Sequence, residues 1–340
     1  MAQEAAAAGV ALRPHAKTHK CVEIARRQLA AGAKGICCQK ISEAEVLLPS
    51  GVEDLLISNQ IVGPAKLRRL AKLARAVRMT TCVAYPAQAA ALSEAAAQEG
   101  IEISVLIEID VGDSRMGLRD PETVMALAGQ VEALPGLRFR GFQAYSGPLQ
   151  HTRSFERRKA EAERGAHIAA QMRERVEDSG LSVDIVTGGG TGSFEFDLAS
   201  GTFNEIQPGS YVFMDRDYER NEDADGGPFR PFQQSLFVLA TVMSGPWSSW
   251  AYLDAGAKAV NNDCGFPGVR DRPGLAYVRA SDEHGRIEAA PGLEPPGLGE
   301  RLMLVPGHCD PTVNLHDWIV AVRRGAVEAV WPIEARGALF

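Results

Sequence analysis

Apolar and β-branched residues come in short bursts along the first two thirds of the chain, and between the bursts they take up the three-to-four spacing of one-sided helices. VALRPH, GICCQ, DLLISN, MTTCVAY, ISVLIEID, FRGFQAYS, VDIVTGG and NEIQPGSY read as eight strands. CVEIARRQLAAG, SEAEVLLPS, AKLRRLAKLARA, AQAAALSEAAAQ, PETVMALAGQVEA and the long FERRKAEAERGAHIAAQMRERVEDSG read as the helices between them. Each parallel strand needs a crossover to return the chain to the same edge, so this alternation predicts an α/β fold, an eight-stranded parallel (β/α) barrel of the TIM type. From about Phe229 the pattern changes. SLFVLATVMS, WAYLDAG, GLAYVRASDEHG, RLMLVPGH, WIVAVRRG and AVEAVWPIE follow one another with only turns between them, which predicts a C-terminal all-β domain. The acidic stretch NEDADGGP, Asn221 to Pro228, reads as a solvated connector, giving a barrel over 1–222 and a β-domain over 223–340.

In such a barrel the carboxyl ends of the strands form the functional face. The unusual polar residues crowd there: Lys17, Gln39, Asn59, Asp110 to Arg115, Tyr145, the glycines of TGGGTG, and Ser210 with Tyr211. TGGGTG, Thr187 to Gly192, lacks the Lys-Ser/Thr of a nucleotide phosphate loop and the spacing of a dinucleotide fingerprint. Successive glycines either converge backbone N–H groups on an anion or form a turn with positive φ, and the late position in the barrel favours the anion. Opposite such a cradle, a lysine at a strand end suits an aldehyde cofactor held as a Schiff base. Arg13, His15, His19 and Lys20 are candidates for the positive charge that would depress the pKa of Lys17. Lys20 itself reads as a lysine of a solvated loop.

In the second domain GHCDPTVNLHD sets His308 and Asp310 two apart, so on an extended segment both side chains leave one face and Cys309 leaves the other. A pair of this kind can hold a divalent cation and leave coordination sites to water or substrate. His316 and Asp317 nearby offer a competing pair.

Composition then removes several classes. Net charge is -7, and the basic residues form no stripe, so nucleic acid is not an expected partner. No apolar run approaches the roughly 20 residues of a spanning helix, so no membrane partner is expected either. The start carries Glu4 and no basic region, unlike a signal peptide. Six scattered cysteines, Cys21, Cys37, Cys38, Cys82, Cys264 and Cys309, suit free thiols in a cytoplasmic setting.

In order along nearly the whole chain, RPHAKTHK, CCQK, ISNQIVG, EIDVG with Arg115 and Gly117 after it, GFQAYSG with its following QH, VTGGGTG, QPGSYVFMD, SDEHG and GHCDPTVN resemble the fold-type III pyridoxal phosphate enzymes of the D-threonine aldolase and D-serine dehydratase group. The resemblance implies that Lys17 carries pyridoxal phosphate on its amine, that Arg115 hydrogen-bonds the cofactor's phenolic oxygen, and that Tyr145 lines the ring. It implies that Gly190, Thr191, Gly209 and Ser210 hold the phosphate, with Tyr211 also at the cofactor, and that His308 and Asp310 bind a divalent metal. It also implies a homodimer in which the β-domain of one chain covers the barrel mouth of the other. The implied reaction is retro-aldol cleavage of a D-3-hydroxy amino acid, of the D-threonine or D-phenylserine type, to glycine and an aldehyde. His151 or a metal-bound water would take the hydroxyl proton.

Two rival activities share the scaffold: a dehydratase of D-serine or D-threo-3-hydroxyaspartate, and a non-catalytic pyridoxal phosphate carrier, for which the β-domain would be superfluous. Dehydratases of the group resemble HCC where this chain reads HCD, and have tyrosine in the place of His151. A carboxylate favours manganese, or else magnesium or calcium, over zinc. Both differences point to the aldolase. Two departures stand against the resemblance. Ser146 occupies a place where relatives often have histidine, which would alter the substrate pocket. Only MAQEAAAA precedes GVAL, where relatives carry a longer segment with a further strand, so the expectation is a truncated N-terminal strand that leaves ladder groups unpaired and apolar surface exposed.

Overall fold

The computed structural model describes residues 1–340, which divide into two compact units: Met1–Gly209 together with Gly337–Phe340, and Ser210–Arg336. In the first unit a short helix α1 (Ala2–Ala7) precedes β1 (Ala11–Leu12), α2 (Val22–Ala30), β2 (Ile36–Cys38), α3 (Ile41–Leu47), β3 (Asp54–Gln60), α4 (Pro64–Leu73), β4 (Arg78–Val83) and α5 (Pro86–Glu99). β5 (Ile103–Glu108), α6 (Pro121–Ala133), β6 (Leu137–Ala144), α7 (Phe155–Asp178), β7 (Ile185–Gly188), α8 (Phe194–Ala199) and β8 (Glu205–Ile206) complete it. All neighbouring strands are parallel, in the order β1-β8-β7-β6-β5-β4-β3-β2. The two ends of that row meet. The Lys34 N–H donates to Leu12 O at 2.8 Å and the Cys37 N–H to Pro14 O at 2.9 Å, with a parallel bridge between His15 and Cys37. The eight strands and the barrel expected from the sequence are present.

Local chemistry accounts for the element ends. The Asp120 carboxylate accepts the Thr123 N–H and Pro121 opens α6, where a missing N–H costs nothing. α5 stops at Gly100, whose φ of +64° a side chain would resist. α4 buries Leu67, Leu70, Ala71 and Leu73, the one-sided set its spacing predicted. Cys37, Leu56, Cys82, Leu106 and Ile185, one from each of five strands, pack into a single buried cluster.

A buried ion-pair group ties three strands. Arg13, 2% exposed, donates from Nε and Nη2 to both Glu205 oxygens at 2.8 and 3.0 Å, and from Nη1 to Asp54 Oδ1 at 2.7 Å. Lys20 corrects the reading of it as a solvated lysine. It is buried and ion-paired with Glu43 of α3, a partner that only the fold supplies. The chain also returns to this unit at its end, where Phe340 O accepts the Ser42 N–H at 3.1 Å and hydroxyl at 2.6 Å.

The second unit begins with α9 (Arg216–Glu219), then β9 (Val238–Trp247), β10 (Trp250–Leu253), β11 (Gly268–Val269), β12 (Leu275–Ala280), β13 (Gly285–Ala289), β14 (Arg301–Val305), α10 (Cys309–Val313), β15 (Trp318–Arg323) and β16 (Ala326–Pro332). β9 to β14 close an antiparallel barrel in the order β10-β13-β12-β11-β14-β9, and β15 pairs with β16 alone. Alternation places Leu302 and Leu304 inside with Ala240, Val242, Ala251, Leu253, Tyr277 and Ile287. One expectation fails here. His308 is extended, but Asp310 lies in the first turn of α10, so the two do not share a strand face. Pro311 needs no N–H in that turn and Thr312 Oγ1 donates to His308 O at 2.8 Å, which together favour helix over strand. All six cysteines are free thiols, and no helix is long and apolar enough to cross a membrane.

Candidate functional site

Lys17 sits in a single 3-10 turn, Ala16–Thr18, directly beyond β1. His15 caps that turn. Its Nδ1 accepts the Lys17 N–H at 3.4 Å, so Nε2 carries the proton and meets Ser58 Oγ, at the end of β3, at 3.3 Å. Lys17 is half-buried, while His15, Ala16, Thr18 and His19 around it are buried. Arg13 and Lys20, considered as positive neighbours, have their charge matched by Glu205, Asp54 and Glu43.

The glycine turn after β7 is packed from behind by polar side chains. A Cβ on Gly192 would stand 2.4 Å from Gln150 O, a backbone atom, so that position admits no side chain; one on Gly190 would stand 2.4 Å from Gln150 Oε1 and must push that amide aside. Gln150 Oε1 accepts the Gly192 N–H at 2.9 Å and its Nε2 donates to Ser193 Oγ at 2.9 Å. Ser193 in turn donates to Asp197 Oδ2 at 2.6 Å and accepts the Gly190 N–H at 3.3 Å. Burial pushes the Asp197 carboxyl up to about 7, against the opposing bonds from Ser193 and Gly190. Thr191 is buried. Gly209, after β8, presses on the Lys17 turn: a Cβ there would lie 2.5 Å from Thr18 Oγ1, a buried hydroxyl with no hydrogen-bond partner.

Arg115 and Tyr145 lie together, the guanidinium 5.3 Å from the ring centroid. The Arg115 loop is braced by Asp110, whose Oδ1 accepts the N–H groups of Gly112, Asp113 and Ser114 at 2.8, 3.0 and 3.2 Å. Burial alone would raise the Asp110 pKa, but the bonds from Gly112, Arg119 and Ser114 outweigh it and hold the carboxyl below its ordinary range. His151 is exposed at the end of the 3-10 turn Pro148–His151, ahead of α7. Sequence reasoning missed a polar layer at the strand ends. Gln60 Nε2 donates to Glu108 Oε2 at 2.8 Å, and Gln207 Nε2 to Gln143 Oε1 at 2.7 Å and Thr187 Oγ1 at 2.8 Å. The available signal was a polar residue closing an otherwise apolar strand, as Glu108 closes ISVLIE.

The remaining candidates belong to the second unit. Ser210 Oγ donates to Asp310 Oδ1 at 3.4 Å, and the Tyr211 ring meets Phe232 edge-on at 5.8 Å. The Cys309 N–H donates to the buried Asp215 carboxylate at 2.9 Å. His308 Nδ1 lies 3.1 and 3.2 Å from the two oxygens of Asp263 and 3.5 Å from Cys264 Sγ. Donor atoms of Asp263, Cys264 and His308 all fall within 4.8 Å of one another. Burial, with Asp217 and Asp263 adding to it, pushes the Cys264 thiol up to about 11. Asp263 is not singled out in the sequence, and Cys264 counts there only among the scattered thiols. His316 Nε2, by contrast, is engaged with Ala259 O at 2.7 Å.

Residues 1–217 match the family of the alanine racemase N-terminal domain, and residues 235–322 match the serine dehydratase domain family. A D-threonine aldolase of Arthrobacter sp is 52% identical over 96% of this chain and 86% of its own length. A 3-hydroxy-D-aspartate aldolase of Paracoccus denitrificans is 43% identical over 99% of this chain and 88% of its own. The crystal structure of D-threonine aldolase from Filomicrobium marinum superposes with a TM-score of 0.96 at 46% identity, covering 100% of this chain and 91% of that one.

Proposed function

We propose, for a chain that belongs to the alanine racemase N-terminal domain family, that its activity is pyridoxal phosphate- and divalent-metal-dependent cleavage of D-3-hydroxy amino acids to glycine and an aldehyde. Its aldolase relatives are lyases, and so is this chain. The observation that carries the finer reading is the 52% identity to a D-threonine aldolase over 96% of the chain.

The residues present suit the cofactor. Lys17 offers an amine on a turn pressed against Gly209, and the unpartnered Thr18 hydroxyl is a donor waiting for an oxygen such as a phosphate's. When bound, pyridoxal phosphate accepts the electron pair left at Cα as the Cα–Cβ bond breaks, and the divalent ion lowers the pKa of the β-hydroxyl. Lys17 Nζ would hold the cofactor's aldehyde carbon, with Gly190, Thr191, Gly209, Ser210 and Tyr211 orienting its phosphate end. Arg115 would donate to the phenolic oxygen while Tyr145 lies along the ring. His151 would accept the β-hydroxyl proton at a ring nitrogen. His308 and Asp310 would bind the ion, manganese ahead of magnesium or calcium, because a carboxylate oxygen suits hard ions. Dimerisation is part of the same proposal.

The match of residues 235–322 to the serine dehydratase domain family favours a second reading, elimination of water to a keto acid and ammonia. Incubation with D-threonine separates the readings. Acetaldehyde with glycine is the expected result; 2-oxobutanoate would establish the dehydratase, and neither product the carrier. Lys17→Ala should abolish both turnover and the visible absorption of bound cofactor. Chelation should remove activity that manganese restores.

A further inference from the structure

We infer that Asp263 is a positioning residue for the metal centre: its carboxylate fixes the His308 ring as the Nδ1–H tautomer and so presents Nε2 to a hard divalent cation. The inference rests on the proposed role of His308 as a metal ligand. A neutral imidazole has one donor nitrogen and one acceptor nitrogen, and a carboxylate accepts only. With Nδ1 at 3.1 and 3.2 Å from the Asp263 oxygens, Nδ1 must carry the proton. The lone pair is then confined to Nε2. Without the carboxylate the ring can rotate or hold its proton on Nε2, and either change blocks ligation.

The surrounding backbone is built to keep this contact. A Cβ on Gly307 would stand 2.0 Å from Gly265 O, so the two loops touch backbone to backbone one residue before His308 and two beyond Asp263. Gly265 itself has φ +103°, a conformation that favours glycine. Asp263 is held by its own turn: its N–H donates to Asn261 Oδ1 and its Oδ1 accepts the Cys264 N–H, both at 2.8 Å. The Arg220 guanidinium donates to Cys264 O from outside the turn. His308 is anchored on the other side, as N-cap of α10, through the bond from Thr312 Oγ1 to its carbonyl. Cys264 also reaches Nδ1, at 3.5 Å. A thiol is a soft, weak acceptor beside a carboxylate, so Asp263 sets the tautomer.

The test is titration of cofactor-loaded protein with Mn²⁺, reading free ion by its electron paramagnetic resonance signal. Asp263→Asn should raise the dissociation constant by roughly ten- to a hundredfold, the range for removing the carboxylate behind a metal-bound histidine. Asp263→Glu should recover part of the loss, and Cys264→Ser should match wild type. An unchanged constant in Asp263→Asn overturns the inference. His308→Ala separates it from the reading beneath: if that variant still binds Mn²⁺ normally, the metal-site reading fails and this inference with it. If His308→Ala loses the ion and Asp263→Asn keeps it, the inference alone fails. Long-range ¹⁵N–¹H spectra of metal-free wild type need no folded variant of Asp263. They should show the His308 signal, assigned by its loss in His308→Ala, as Nδ1–H, and an Nε2–H signal refutes the assignment.

Discussion

Replacing Asp197 with asparagine isolates what it costs to keep a carboxyl group beneath the glycine turn. Burial moves this group from its ordinary value of 3.8 to about 7. At 1.36 kcal/mol per unit, the ionised form opposes folding by about 4 kcal/mol once the pH passes 7. The folded chain holds the proton more tightly than the unfolded one, so stability falls as pH rises from about 4 to about 7 and levels off above. The penalty is about 1.6 kcal/mol at pH 5 and about 4 kcal/mol at pH 8 by the same relation. Asparagine keeps an oxygen for Ser193 and cannot ionise. The stability difference between Asp197→Asn and wild type should therefore shift by about 2.5 kcal/mol in favour of the variant between pH 5 and pH 8. Urea unfolding of cofactor-free protein measures it, so that phosphate binding adds no linkage of its own. The long helices all lie in the first unit, so far-ultraviolet dichroism is the signal that follows its unfolding. An equal difference at the two pH values, or a shift toward wild type, refutes the assignment of a raised pKa to Asp197.

Gly190→Ala drives a methyl group into Gln150 Oε1, 2.4 Å away, and breaks its bond with the Gly192 N–H. Loss of that bond should weaken cofactor binding by about tenfold in a spectroscopic titration; unchanged affinity would separate the turn from the cofactor. Arg13→Met leaves buried Glu205 with only the half-exposed Lys34 amine, at 3.3 Å, as counter-charge and should lower stability by about 3–5 kcal/mol in urea unfolding, with Glu205→Gln in the same chain recovering much of it. A loss no larger than that of an exposed pair would contradict this account. Gly307→Ala would put a Cβ 2.0 Å from Gly265 O and must part the two loops, so Mn²⁺ affinity should fall while the visible cofactor spectrum stays as in wild type. A parallel loss of both would mean that the barrel unit is disturbed as well.

The barrel was legible because each of its strands is a compact apolar run with a helical spacing after it, and that information is local. α8 was not, since six residues give too little periodicity to register, and its inward positions are Phe194 and Asp197, one apolar and one acidic. In the second unit β11 has two residues and β13 contains Arg286 and Glu288, so neither stands out from a turn. Lys20 and α10 were misread for different reasons. The partner of Lys20 lies on another helix, and α10 begins with residues that are as compatible with a strand as with a first turn. At the site, single residues such as Lys17 and His308 could be singled out by type and place. The groups around them, Ser58 against His15, Gln150 behind the glycine turn and Asp263 beside His308, are ordinary polar residues whose contacts exist only once the loops meet.

Arg13 and Glu205 are separated by 192 positions, yet the two-residue β1 has β8 as its ladder partner. During synthesis at about 5–20 residues per second, roughly ten to forty seconds pass between the emergence of one and the other. Throughout that interval Arg13 has Asp54 within reach but lacks the carboxylate that takes its Nε and Nη2 bonds, and β1 lacks its ladder partner. Ribosome-associated chaperones would have their best opportunity to engage the chain then, and a pause placed shortly after the last strand would favour correct closure.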